Sequence, residues 1–283
     1  MSELRVNELN RFPVKSCRGE PLRRARVEPW GLAGDRRWMI VDSDGVLVTA
    51  REYPRLILAR PELTEGGLRL THPDLEPVEV ATPAGRAVAV HIWRTVLDAV
   101  PAADHAHAWF SAIVGKPVRL VYLADPMQRP TNPRFSKASD RVSLADGYPL
   151  LLTTEASLDA LNALIAAGSH APEAPLPMIR FRPSLVVAGS PTAWAEDGWR
   201  RLRIGTALFR VAKGCDRCVL TTIHPDTAVK GREPLATLAR HRRWDGKTWF
   251  GVQLIPDTPG AELAVGDEVE VLDAVDAPDG PIR

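Results

Sequence analysis

The chain has 283 residues, 45% of them hydrophobic and 25% charged. That composition suits a soluble globular protein with a substantial core and room for two ordinary domains. A net charge of +1 offers no excess of Lys and Arg for non-specific nucleic-acid binding, and no stretch approaches the roughly 18 apolar residues of a membrane span. The start, MSELRVNELNRFPVKSC, lacks the basic head and apolar run of a secretory signal. Three cysteines (Cys17, Cys215, Cys218) form an odd set that fits a reducing compartment better than a disulfide framework. A cytoplasmic protein, away from membranes and nucleic acid, is expected.

Roughly the first 120 residues read as short β segments separated by Pro and Gly, the pattern of a sandwich or barrel. They are LRVNELNRFPV, ARVEPWGL, RRWMIVDSDGVLVTA, GLRLTH, PVEVATP, AVAVHIW and PVRLVYL. Ser43-Asp44-Gly45 predicts a tight hairpin turn, because Asp-Gly tolerates positive φ. Residues 105–114 (HAHAWFSAIV) predict a short helix. Residues 124–147 are polar and Pro-rich, a linker or an active-site loop. After the apolar run YPLLLTT, EASLDALNALIAAG carries Leu158, Leu161 and Leu164 at helical spacing, with Thr154 as a cap and a Gly stop. RPSLVVAG, RLRIGTALFRVAK, VLTT, GVQLIP and DEVEVLD read as further strands. The second half is therefore expected to be mostly β with one or two helices.

The strongest local chemical feature is Cys215-Asp216-Arg217-Cys218, followed by Val-Leu-Thr-Thr and His224-Pro225-Asp226. A structural zinc site needs four ligands, and no second CxxC or His pair completes one. A thioredoxin-like dithiol normally opens a helix, whereas VLTT reads as β. A single thiolate could ligate a soft metal, and Arg217 and Lys213 nearby would lower a thiol pKa. A pair of buried structural thiols fits as well, and this segment alone does not separate the readings. Elsewhere, Lys15-Ser16 in FPVKSCRG could hold a phosphate. In GDRRW, strand alternation lets only one of Arg36 and Arg37 face a site. Arg182, in FRPS, precedes another apolar strand. Together these cations point to an anionic cofactor.

In order, RFPVKSCRG, GDRRWMIVD, TAREYPRL, LADGYPLLLTTEASLDALN, RFRPSLVVAG, WAEDGWRRLRIG, GCDRCVLTTIHPDT, REPLATLARHR and FGVQL resemble the MOSC-domain proteins with an N-terminal β-barrel. The branch they resemble includes the mitochondrial amidoxime-reducing component and its bacterial relatives. The resemblance covers about residues 3–272 and is specific as an ordered set. It implies a mostly β fold with a few helices: an N-terminal β-barrel-like domain (1–123) followed by a β-barrel MOSC domain (124–283).

It also implies a molybdenum cofactor, a molybdopterin, with Cys218 as metal ligand and catalytic residue. The matching cofactor contacts are Lys15, Ser16, Arg36, Arg182 and the backbone around Asp216 and Arg217, with Asp146, Gly147 and Gln253 as further matches. Ser184 stands where the family has Asn, and its shorter hydroxyl could act through water. Cys17 and Cys215 would be neighbouring or structural thiols. The implied function is reduction of N-hydroxylated compounds (amidoximes, hydroxylamines, N-hydroxylated bases) with electrons from a separate donor protein, three cysteines being too few for an additional iron–sulfur cluster. Asp216 and Asp226 are the nearest acids that could supply a proton. Two other readings share this pattern: a sulfur or cofactor carrier using Cys218 as a persulfide, and a non-redox protein that keeps the fold.

Overall fold

The computed structural model describes residues 3–277 and 279–283. The architecture is mostly β, as expected, with three α-helices among the described residues. The largest sheet has nine strands, in the order Val269–Ala274, Trp199–Ile204, Ala207–Asp216, Lys247–Pro256, Leu150–Thr154, Leu185–Ala188, Arg5–Arg11 and Glu20–Leu22. The short strand Arg243–Trp244 hairpins onto Lys247–Pro256. Two smaller sheets come from the first half: Trp38–Val41 with Arg119–Tyr122, Thr95–Pro101 and Val88–Ile92, and Arg60–Thr64 with Gly67–His72 and Leu75–Ala81.

The chain's opening strands cross over. Leu9 pairs with Leu185, and Ala25 of Arg24–Glu28 pairs with Leu263 of Glu262–Ala264. Val6, Leu9 and Val27 therefore bury in one core with Leu152, Leu185, Phe209, Val252 and Leu254. Lys15 and Ser16 follow a few residues after this first strand, just past Val14, which bridges Trp38 of the smaller sheet.

Most predicted elements appear where the pattern places them. The turn after Trp38–Val41 puts Gly45 at φ 78°, and the Asp42 N–H donates to Val46 O at 2.9 Å. Helix α1 (Asp104–Val114) buries Ala106, Trp109, Phe110 and Ile113 along one stripe and ends at Gly115, φ 78°. Helix α2 (Glu155–Ala166) is capped by Thr154, whose hydroxyl accepts from the Ser157 N–H at 3.2 Å. Its fully buried positions are Ser157, Leu161 and Ile165, and Leu158 packs partly against the cluster that holds the last two. Helix α3 (Leu235–His241) buries Leu238 beside them.

Two expectations change. Arg60–Thr64 and Thr95–Pro101 are strands that the sequence reading passed over. VLTT is not a strand: Val219–Thr222 is a single 3-10 turn capped by Cys218. The Thr221 and Thr222 hydroxyls donate back to the carbonyls of Cys218 and Val219 at 3.0 and 2.8 Å. That local bonding competes with a sheet ladder and wins. No helix among the described residues is long and apolar enough to cross a membrane.

Candidate active site

The strand Ala207–Asp216 breaks register twice against Lys247–Pro256, between Val211 and Lys213 and between Gly214 and Asp216. Bulges re-aim side chains at a strand end, and here they turn Cys215 and the following Cys218 toward a cavity of about 730 Å3. A side chamber of about 60 Å3 adjoins it and shares Arg36, Arg51, Trp93, Asp146 and Arg182 with it. The Pro-rich segment contributes Arg129, Pro130, Thr131 and Asn132 to the wall.

The structure brings most of the predicted residues together. Arg36, Asp146, Gly147, Arg182, Asp216, Arg217, Cys218 and Gln253 line the larger cavity, and Lys15 and Ser16 line the side chamber. Ser184 stands apart: it is fully buried, lines neither space, and its hydroxyl accepts from the Leu151 N–H at 3.4 Å. Asp226 also lies elsewhere, paired with Arg18 at 2.6 Å. Asp216 does reach the wall. Although its partial burial raises its pKa, Lys247 and Lys213, at 3.0 and 3.2 Å, pull harder and hold it below the usual carboxylate range. It is an ionised acceptor near neutral pH, a poor proton donor.

Backbone conformation marks the same place. Ser16, Arg36 and Arg182 have φ of 71°, 44° and 58°. Non-glycine residues adopt this region at a cost of about 1–3 kcal/mol each and tend to cluster where a ligand is clamped. Arg36 takes the cavity side while Arg37 donates to the carbonyls of Leu123 and Ala124. The expected split between the two arginines thus arises from the left-handed turn at Arg36 rather than from strand alternation.

The charge around the cavity is one-sided. Arg36, Arg51, Arg94, Arg129, Arg182, Lys213 and Arg217 line it against two carboxylates, Asp146 and Asp216, in a protein of net charge +1. Burial presses on these cations. It pushes Lys15 down to about 8 despite Asp146 at 2.6 Å, and Arg129 down to about 10. Arg182 also falls to about 10, through burial and then Arg36 beside it. Cations that desolvation and mutual repulsion oppose are stabilised by a bound anion. The Nε of Arg217 is a further buried donor with no partner among the described residues. A phosphate-bearing, anionic cofactor fits this donor set.

The three thiols occupy different settings. Cys17 is in the core, its pKa pushed up to about 12 by burial, and only its carbonyl takes part, accepting from Arg182 at 2.6 Å. Cys215 is buried at the wall, and Arg217 Nη1 and Gln253 Nε2 approach its Sγ at 2.9 and 3.6 Å. Burial raises its pKa, against the pull of Arg217. Cys218 is the partly exposed one. The expectation that Arg217 would attend Cys218 is corrected: the bulge turns its guanidinium onto Cys215 and Phe181 O. Arg51 takes that place. Burial opposes its charge, but Asp146 at 3.0 Å and the Cys218 sulfur outweigh burial and raise its pKa.

Sequence reasoning missed Arg51, Arg129, Trp93 and Arg94. Arg129 fixes the loop beside Lys15 by donating to the carbonyls of Ser143, Ala145 and Asp146. Its only sequence signal is that it lies in a Pro-rich segment between two apolar regions.

Residues 3–117 match the MOSC N-terminal beta barrel domain, and residues 139–270 match the MOSC domain. The chain belongs to the MOSC-domain proteins. It is 33% identical to the human mitochondrial amidoxime-reducing component 1 over 94% of this chain and 82% of that protein. With the Xenopus laevis protein of the same name it shares 31% over 85% and 72%. It is also 32% identical to the molybdenum cofactor sulfurase of Oryza sativa over 90% of this chain but only 33% of that longer protein. Both MOSC matches reach the cavity. The N-terminal one supplies Lys15, Ser16, Arg36, Arg51 and Trp93, and the MOSC domain itself supplies Asp146, Arg182 and the two cysteines.

Proposed function

We propose that the cavity holds a molybdenum cofactor with Cys218 as the protein ligand, and that the protein reduces N-hydroxylated compounds such as amidoximes, hydroxylamines and N-hydroxylated bases. The observation that carries this reading is the position of Cys218, the partly exposed thiol, on a cavity wall with seven cationic side chains. Lys15, Ser16, Arg36 and Arg182 bind the cofactor's anionic group, and Asp216, Arg217, Gly147 and Gln253 contact the rest of it. When bound, the cofactor supplies two-electron chemistry at the metal that removes the substrate's hydroxyl oxygen as water.

The chain's own residues prepare that site. Arg51 pairs with Asp146 and places its positive charge beside the Cys218 sulfur. Arg180 donates to the carbonyls of Thr221 and Thr222 and so fixes the turn that begins at Cys218. Arg129 secures the loop that presents Asp146. Electrons come from a separate donor protein: the three cysteines are divided between the core and the cavity wall. The three free thiols agree with a reducing, cytoplasmic setting.

A second reading is favoured by the similarity to a molybdenum cofactor sulfurase. In it, Cys218 carries sulfur or the cofactor without redox turnover. Elemental analysis of freshly purified protein separates the reductase from a sulfur carrier, since the reductase reading expects about one molybdenum per chain, lost in Cys218→Ala, while a cofactor carrier would hold the metal without turnover. Turnover of benzamidoxime with an artificial donor then tests the reaction itself.

A further inference from the structure

The hairpin of Val88–Ile92 and Thr95–Pro101 closes with Ile92 paired to Thr95, leaving Trp93 and Arg94 as a two-residue loop. Positive φ at the first position of such a loop favours glycine. Trp93 occupies it at φ 54°. No core compensates for this conformation, since the side chain is 48% exposed. A bulky residue held in a glycine conformation and left in solvent is a cue to function rather than to packing.

The loop overhangs the cavity. Trp93 lines both the main cavity and the side chamber, with the Arg51 guanidinium 4.6 Å and the Lys15 Nζ 5.7 Å from its ring centroid. Arg94 lines the main cavity beside it. Six of the seven wall cations have partners: Arg36 with Asp35, Arg51 with Asp146, Lys213 with Asp216, and Arg129, Arg182 and Arg217 on backbone carbonyls. Arg94 is exposed and makes no ion pair or side-chain hydrogen bond among the described residues.

We infer that Trp93 and Arg94 form the substrate subsite of this cavity. The indole stacks a planar ring, and Arg94 takes an anionic group carried by that ring. The favoured substrates are then planar N-hydroxylated aromatic or heteroaromatic compounds bearing a carboxylate or a phosphate. This rests on the reductase reading above and narrows its substrate class. An aromatic face accepts any planar ring. An unpaired guanidinium adds a forked, charge-assisted grip on one oxyanion.

Calorimetric titration of the full-length protein, with no electron donor present, tests the subsite using two probes, benzamidoxime and 4-carboxybenzamidoxime. The carboxylated probe should bind roughly tenfold tighter. Arg94→Ala should bring the two affinities together, and Arg94→Lys should restore part of the preference. Trp93→Ala should weaken both probes roughly tenfold, and Trp93→Phe should do so far less. Equal affinities in the unmodified protein, a preference that survives Arg94→Ala, or full binding by Trp93→Ala would each overturn the inference. Turnover is scored separately. Selective binding without turnover counts against the reductase reading alone, and turnover without selectivity counts against the subsite alone.

Discussion

Replacing Lys15 by Met probes the buried cation that the proposed cofactor phosphate would neutralise. The Lys15 side chain is 8% exposed, and burial lowers its pKa from 10.5 to about 8. A lysine pKa lowered in the fold means that the unfolded chain binds the proton more tightly, so its charge destabilises the ligand-free fold. That penalty is fully present below about pH 8, fades as pH rises between the folded and unfolded values, and is gone above 10.5. It amounts to about 3 kcal/mol at pH 7 and a little over 1 at about pH 9.5. Against Lys15→Met, the unmodified protein should therefore gain about 2 kcal/mol of relative stability across that interval. Urea unfolding of both proteins without cofactor, at a series of pH values, measures it, because groups not coupled to Lys15 cancel in the difference and Asp146 stays ionised throughout that interval. Inorganic phosphate at saturating concentration should flatten the dependence by restoring the Lys15 pKa. A difference that stays constant with pH, or that moves in favour of Lys15→Met as pH rises, would mean that the buried Lys15 carries no such penalty.

Trp93→Gly should stabilise the protein by about 1 kcal/mol, seen as a rise in the melting temperature, because it relieves the left-handed strain of the hairpin loop. A fall would show that the indole is held by packing instead. Arg180→Met removes a buried donor to the carbonyls of Thr221 and Thr222. It should cost about 2 kcal/mol of stability and speed alkylation of Cys218 by iodoacetamide, since the turn that begins at that residue loosens. Unchanged alkylation would mean that the turn holds without Arg180.

Local patterns carried much of the fold. Thr154 caps α2, Gly45 closes its turn, and the apolar spacing of residues 104–114 places Trp109 and Phe110 on the buried side of α1. The missed strands each contain proline, Pro61 and Pro101, which reads as a break yet sits at a strand position here. No local pattern reveals that Leu9 pairs with Leu185, and that crossing is what carries Lys15 and Ser16 to a cavity built on the strands of the second half. The cavity's charge was readable in outline from Lys15, Arg36 and Arg182. Arg51 was not, because it acquires a role only when folding places Asp146 and Cys218 beside it. The direction of Arg217 was misread for a similar reason: adjacency to Cys218 in sequence says nothing about the bulge that points its guanidinium at Cys215.

Metal analysis of protein freshly purified from a molybdenum-replete host shows whether Cys218 holds a molybdenum cofactor. About one molybdenum per chain with a releasable pterin is expected, lost in Cys218→Ala and retained in Cys17→Ala. Protein without molybdenum but with a labile sulfur on Cys218 would contradict it and support the carrier reading.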